Sequence, residues 1–230
     1  TKQFDRRKNI VKILMEILKK TPLFRNMEEE EINSALSFLA ARQTAYEKNS
    51  FIFSLEDGSP TVGIILAGSV VIIKEDFWGN RSMLAKLGVG DIFGEAFTCA
   101  QTEKMPVGVL ASEKCEILFI DYKRILDNTG VACTSYNKLI QNMMLILAGK
   151  NVMLTQKIEH LMKRSTREKL LSFLSAQAIE AKSHVFDIPL SRQELADYLA
   201  VDRSAMSNEL SKLQQEGLLA CTRNHFELRT

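Results

Sequence analysis

Arg203, Ser204, Ser207, Asn208 and Lys212 form the densest cluster of side chains in this sequence that could do chemistry. All are long or hydrogen-bonding, and none stands as a nucleophile beside a base. Gathered on one face of a helix, they suit the edges of bases in a DNA major groove. There arginine can donate two bonds to a guanine and asparagine can bond an adenine. The remaining reactive residues do not assemble into a catalytic or metal centre. Cys99, Cys115, Cys133 and Cys221 contain no Cys-x-x-Cys pair, which argues against a zinc ribbon or disulfide framework and for a reducing cytoplasm. His160, His184 and His225 all lie outside residues 43–120, where a metal barrel would need two or three histidines and a carboxylate on adjacent strands. No G-x-S-x-G, P-loop or Cys/His pairing occurs, so catalysis is not expected.

The elements that would position the cluster follow from local signals. Ser191 can N-cap a first helix, with Glu194 completing a capping box. Leu195, Ala196 and Leu199 give that helix an inner face, and Ala196 is small where a second helix must cross. Ala200-Val201-Asp202 is a three-residue connection, with Val201 expected between the helices and Asp202 as the next N-cap. Met206, Leu210 and Leu213 make the inner stripe of the second helix, so the reading cluster faces outward. A hairpin over Leu218–Leu228, with Arg223, Asn224 and His225 at its tip, completes a winged helix. Ser191, Arg192, Gln193 and Arg223 join the candidate DNA contacts, with Arg192 expected on a backbone phosphate. Residues 163–230 hold ten basic and nine acidic side chains, so placement rather than bulk charge must carry the contact.

Upstream, the texture is different. Residues 9–19 read as a short amphipathic helix ended by Thr21-Pro22, and a second helix is expected over 27–41 with four glutamates at its start. From Gln43 to Ile120, short apolar or alternating segments are separated by Asp57-Gly58, Gly68-Ser69, Gly79-Asn80 and Gly88-Val89-Gly90-Asp91. That pattern indicates an antiparallel barrel or roll. Phe93–Ala100 reads as a turn and short helix inserted between strands. A long helix over 134–162 carries Ile140, Met143, Leu147, Leu154, Ile158 and Leu161 at alternating steps of three and four, broken by polar residues at 150–151. A period of 3.5 fits a seam between two copies or packing on the barrel. The first is expected, with Met143, Leu147, Leu154 and Ile158 in the interface. A helix over 168–182, a loop over 184–189 and two final strands complete the reading.

At 46% hydrophobic and 25% charged, the chain of 230 residues can bury a sizeable core. Its longest apolar run, Val62–Ile73, is too short and too broken by glycine to cross a membrane, which takes roughly twenty residues. Lys12 and Glu16 interrupt the N-terminal apolar run, so no signal peptide is expected. The expected place is the cytoplasm.

From about Leu23 to Leu228 the chain resembles the CRP/FNR (cyclic-AMP receptor/fumarate–nitrate regulator) family of bacterial transcription factors. The resemblance rests on Gly88-Val89-Gly90-Asp91-Ile92-Phe93-Gly94-Glu95, the long helix, and the DRSAMSNELSKLQQEGLL segment, in that order. It implies an α+β fold with a β-roll effector domain (residues 1–127), a dimerisation helix (128–163) and a winged helix-turn-helix (164–230). It further implies a homodimer on a palindromic promoter site, with RNA polymerase as a partner and a small molecule as effector. An alternative is a cyclic-nucleotide-binding-like module acting on a protein partner, against which the winged helix argues.

Departures from the family pattern bear on the effector. Cyclic-AMP-binding members place an Arg-Ser pair about eleven residues after the Gly-Glu turn to grip the cyclic phosphate; counting from Gly94, that pair is Met105-Pro106 here. Lys104, one place off, is the nearest cation. Cyclic AMP is therefore not expected. No cysteine precedes Cys99, so an iron–sulfur cofactor is not expected either, and His160 is the only conceivable axial ligand for a haem. Gly94, Glu95, Ala96, Cys99, Met105 and Pro106, with Lys150 or Asn151 from the partner's helix, are the candidate effector residues. They suit an apolar or aromatic molecule or a weak acid, though Glu95 can serve the loop's own amides and Cys99 can be a small buried hydrophobe.

Overall fold

The structure, a computed structural model, describes residues 13–53, 61–75, 77–78, 81–103, 105–127 and 134–229, with backbone alone at 81, 82 and 134. The expected first turn of the N-terminal helix (9–12), the Asp57-Gly58 and Gly79-Asn80 turns, Lys104 and Cys133 lie outside the described residues. The chain divides between Ala148 and Gly149 into two compact units.

In the first unit, residues 13–20 are helical and a 3-10 turn follows at Pro22–Phe24. Helix α1 (Glu29–Phe38) is shorter than the expected 27–41. Glu31 accepts the backbone N–H of Glu28 at 2.8 Å, which sets the start of the helix. Ala40 takes φ +46, turning the chain into strand β1 (Arg42–Tyr46).

Strands β2 (Phe51–Phe53), β3 (Val62–Ala67), β4 (Val70–Glu75), β5 (Arg81–Leu87), β6 (Ile92–Phe93), β7 (Gly108–Ala111) and β8 (Cys115–Ile120) follow. They build two antiparallel sheets, β1-β8-β3-β6 and β2-β7-β4-β5. The two-residue β6 escaped the sequence reading because it has no period of its own. It pairs with β3 at Gly63↔Phe93. A Cβ at Gly63 would stand 2.2 Å from the Phe93 ring, so glycine is required there.

The continuous apolar texture of β3 and β8 has a simple cause: both faces are covered. Ile65, Ile117 and Phe119 point between the two sheets with Ile52, Val109 and Phe93. Val62, Ile64, Leu118 and Ile120 point the other way, onto Leu18, Phe24, Ile32 and Leu39 of the helical layer. Between β6 and β7 sits helix α2 (Glu95–Cys99), and helix α3 (Lys123–Asp127) follows β8.

Helix α4 (Thr134–Leu161) is the long helix. Its start is fastened to the first unit. Asn142 Nδ2 donates to the carbonyls of Leu23 (2.8 Å) and Arg25 (2.9 Å), and Lys138 pairs with Glu31 at 2.7 Å. Tyr122 donates its hydroxyl to the Leu139 carbonyl at 3.2 Å.

In the second unit, helix α5 (Thr166–Ala181) begins with a Ser165/Glu168 capping box. Residues 184–189, expected as a loop, contain strand β9 (Val185–Asp187), which pairs with the last strand. Phe186 alone of the three is buried, a pattern too short to signal a strand in the sequence. Helices α6 (Arg192–Tyr198) and α7 (Arg203–Gln215) and strands β10 (Leu219–Thr222) and β11 (His225–Leu228) complete a three-stranded wing sheet, order β10-β11-β9, against the helices.

Candidate nucleic-acid interface

The helix pair α6–α7 is set by its caps. Ser191 accepts the Glu194 N–H while Glu194 reaches back to the Ser191 N–H at 2.8 Å. Asp202 accepts the Ala205 N–H at 2.9 Å. The Ser204 hydroxyl donates to the same carboxylate, and these two bonds, the hydroxyl's first, hold the Asp202 pKa below its ordinary value. Between the helices, Ala200 takes φ +48, and Lys169 on α5 donates its ammonium to the carbonyls of Leu199 (3.1 Å) and Ala200 (3.4 Å). Leu195, Ala196, Leu199, Met206, Leu210 and Leu213 are buried in one core with Leu170, Leu174 and Phe226. Val201, expected to be buried, is half-buried at its edge.

With the inner face of α7 committed, Arg203, Ser204, Ser207, Asn208 and Lys212 are all exposed on its outer side. Three of them are partly engaged: Ser204 donates its hydroxyl to Asp202, Ser207 donates its own to the Arg203 carbonyl at 2.9 Å, and Lys212 lies 3.4 Å from Glu209. Both hydroxyl oxygens keep lone pairs for a ligand. Gln193 is exposed and donates to Asp197 at 2.9 Å, and Arg223 is exposed at the wing tip with φ +52. Asn224, also at the tip, ties the wing to the chain before α6 by donating to the Ile188 carbonyl at 3.2 Å.

Arg192 corrects the sequence reading. It was expected to reach a phosphate. Instead its guanidinium stacks 4.9 Å from the centre of the Phe226 ring and donates to Cys221 Sγ at 3.2 Å, with Nη1 buried. Phe226 and Cys221 lie about thirty residues downstream, beyond any local signal. The sequence reading also missed Arg167, which forks onto Glu216 and reaches Glu209 at 3.3 Å, binding α5 to α7. Those carboxylates, Glu216 above all, push the Arg167 pKa up.

At the roll, Gly94 takes φ +80, and a Cβ there would stand 2.3 Å from the Thr61 carbonyl oxygen. Glu95 is buried, while Ala96 is exposed and Cys99 half-buried. Burial, and then the charge of Glu95, raise the Cys99 thiol pKa, which suits a small hydrophobe better than a reactive thiolate. Met105 is no pocket lip: it is buried among Ile52, Val109 and Phe119, while Pro106 beside it is exposed. Lys150 is half-buried on α4 and Asn151 is exposed.

The seam on α4 also needs correction. Met143, at 2% exposure, belongs to the first unit's own core, and Leu147 packs partly against it. The stripe instead runs Ile140, Met144, Leu147, Asn151, Leu154, Ile158, in steps of four and three, exposed except at half-buried Leu147. Ile140, Met144, Leu154 and Ile158 are 40%, 65%, 59% and 56% exposed. His160, near the helix end, is buried.

No helix among the described residues is long and apolar enough to cross a membrane. Residues 43–127 match the cyclic nucleotide-binding domain family, and residues 168–229 match the Crp-like helix-turn-helix domain family. Among curated proteins, the CRP-like protein Clp of Xanthomonas euvesicatoria is 27% identical over 189 residues, covering 79% of this chain and 82% of that one. The cAMP-activated global transcriptional regulator CRP of Haemophilus influenzae is 25% identical over 183 residues, 75% of this chain and 76% of that one. Among solved structures, the c-di-GMP-responsive global regulator CLP of Xanthomonas campestris superposes with a TM-score of 0.60 at 21% identity, covering 88% of this chain and 100% of that chain.

Proposed function

We propose, since this chain belongs to the CRP/FNR family of transcriptional regulators, that it binds a palindromic promoter site in the cytoplasm as a homodimer, engages RNA polymerase there, and answers to a small effector other than cyclic AMP. The observation that carries the DNA reading is α7. Its inner stripe is wholly buried while Arg203, Ser204, Ser207, Asn208 and Lys212 stand together on its outer face. A helix so presented enters a major groove by its N-terminal end. Arg203 reads a guanine and Asn208 an adenine, while Ser191 and Gln193 at the α6 start and Arg223 on the wing lie outside the base-reading cluster and meet the DNA backbone. The division of labour is a unit over 1–127, built on the roll, that receives the effector, a segment over 128–163, built on α4, that pairs two copies, and a unit over 164–230, built on the winged helix, that reads DNA.

The effector enters near Gly94, Ala96, Cys99 and Pro106. Against cyclic AMP stands the chemistry of the phosphate position, where a buried thioether and an imide replace a guanidinium and a hydroxyl. A cyclic phosphate moved there without a donor loses its hydration uncompensated, at a cost of about several kcal/mol. The relatives bear names with two effectors, cyclic AMP and c-di-GMP, so the roll alone does not dictate one. Selection of duplexes from a random library tests the reading: inverted half-sites about one helical turn apart are expected. Recovery of no sequence preference would overturn it.

A further inference from the structure

His160 is 5% exposed and ties the last turn of α4 to two other helices of the second unit. Its Nδ1 lies 2.8 Å from Ser172 Oγ on α5. Its ring stands edge-on to Phe173 on α5 at 5.8 Å and tilted against Tyr198 on α6 at 6.5 Å, and those two rings are 5.4 Å apart. Three residues earlier on α4, the Lys157 ammonium lies 5.0 Å from the centre of the Tyr198 ring. Tyr198 is the last residue of α6, immediately before the turn into the reading helix. One helical turn of α4 therefore touches both α5 and α6, and only residues 162–165 connect α4 to α5.

We propose that His160 is a positioning residue for DNA binding: neutral, it latches the end of α4 onto α5 and α6, and protonated, it releases that turn, so that affinity for DNA falls in mild acid. The inference rests on the DNA-binding reading above. The groups that face the ring supply little to hold a proton. Ser172, Phe173 and Tyr198 are neutral, Lys157 lies across Tyr198, and of the two charges that act on the ring Glu159 on the same helix attracts the proton while Lys163 in the connection offsets part of that pull. Among the described residues, His160 pairs with no carboxylate on α5 or α6. Burial is the largest influence and pushes its pKa down, against the pull of Glu159 and with a smaller push from Lys163. A released ring titrates near its ordinary value of about 6.5. The latch is therefore fully closed above about pH 6.5 and is lost as pH falls toward the lower, latched value.

The test uses the full-length protein and a duplex selected from a random library, with fluorescence anisotropy from pH 7.5 to 5.5 at fixed ionic strength. The native protein is expected to lose roughly 3–10-fold in affinity across that range. His160→Phe keeps a ring between Phe173 and Tyr198 but cannot titrate, and its profile is expected to be flat. His225→Gln, which removes the exposed wing pair with Asp187, should keep the native profile. Ser172→Ala provides a second variant, weakened at pH 7.5. Identical profiles for the native protein and His160→Phe would overturn the latch. A DNA-free arm separates this from failure of the DNA reading. The chain has three histidines, so ring signals followed by NMR assign His160 by its loss in His160→Phe. It should titrate below the ordinary imidazole value of about 6.5; titration at or above that value overturns the latch whatever the DNA result.

Discussion

Leu154→Glu is expected to turn the dimer into folded monomers, and its size can be worked from the helix surface. Leu154 is 59% exposed in the single chain, so that fraction of its surface remains to be buried by a partner. Complete burial of a leucine is worth about 1.5–3 kcal/mol, which leaves about 1–2 kcal/mol per copy and about 2–4 for the symmetric pair. Truncation to alanine alone should then weaken dimerisation roughly 30–1,000-fold. Glutamate adds two facing carboxylates in an apolar seam, at a further cost of several kcal/mol or so unless they are protonated. Sedimentation velocity over a concentration series reads the dissociation constant directly. Met143→Glu is the contrast, because Met143 is 2% exposed within its own unit. It should lower the melting temperature, with a cost of about 3 kcal/mol or more, rather than release folded monomers. A Leu154→Glu protein that remains dimeric would refute the assignment of the stripe.

Three further outcomes are expected. Arg203→Ala should lose about 1–3 kcal/mol of discrimination at a single guanine, so that selection returns all four bases there; retained preference would remove Arg203 from base reading. Isothermal titration with cyclic AMP should give no binding tighter than about millimolar, and a micromolar constant would mean that the roll finds a phosphate donor other than residues 105–106. Arg192→Ala should lower thermal stability by about 1–2 kcal/mol through loss of its stacking on Phe226 and leave the salt dependence of DNA binding unchanged; a flatter salt slope would return Arg192 to the phosphates.

Much of the winged helix was legible because its signals are local. Ser191, Glu194 and Asp202 act within three residues of themselves, and the stripe from Leu195 to Leu213 needs only helical periodicity. The strands of the roll were legible from glycine punctuation, and the continuous runs of β3 and β8 are explained by apolar layers on both faces. The failures share one cause, a partner distant in sequence. Met143 and Met144 are equally apolar, and only the Leu139 and Met143 contacts with the N-terminal helices decide which faces outward. Met105 sits where the cyclic-phosphate grip would be counted, but its packing against Ile52 and Phe119 turns it inward. Strand β9 exists because β11 pairs with it.

Asn151 interrupts the exposed apolar stripe of α4 midway, between Leu147 and Leu154. An amide in such a position is satisfied when it meets its own counterpart and is stranded among leucines in a slipped alignment. The amide therefore favours the register in which the two copies of Asn151 face each other, and the pairing proposed here sets the helices side by side and pointing the same way. Two helices so aligned are related by a rotation of half a turn about their shared axis. Whatever each copy carries at its C-terminal end is then presented in mirror order along a duplex. On the proposed parallel pairing the operator reads the same on both strands, and a tandem repeat of the same half-site is expected to engage one copy and leave the other off register.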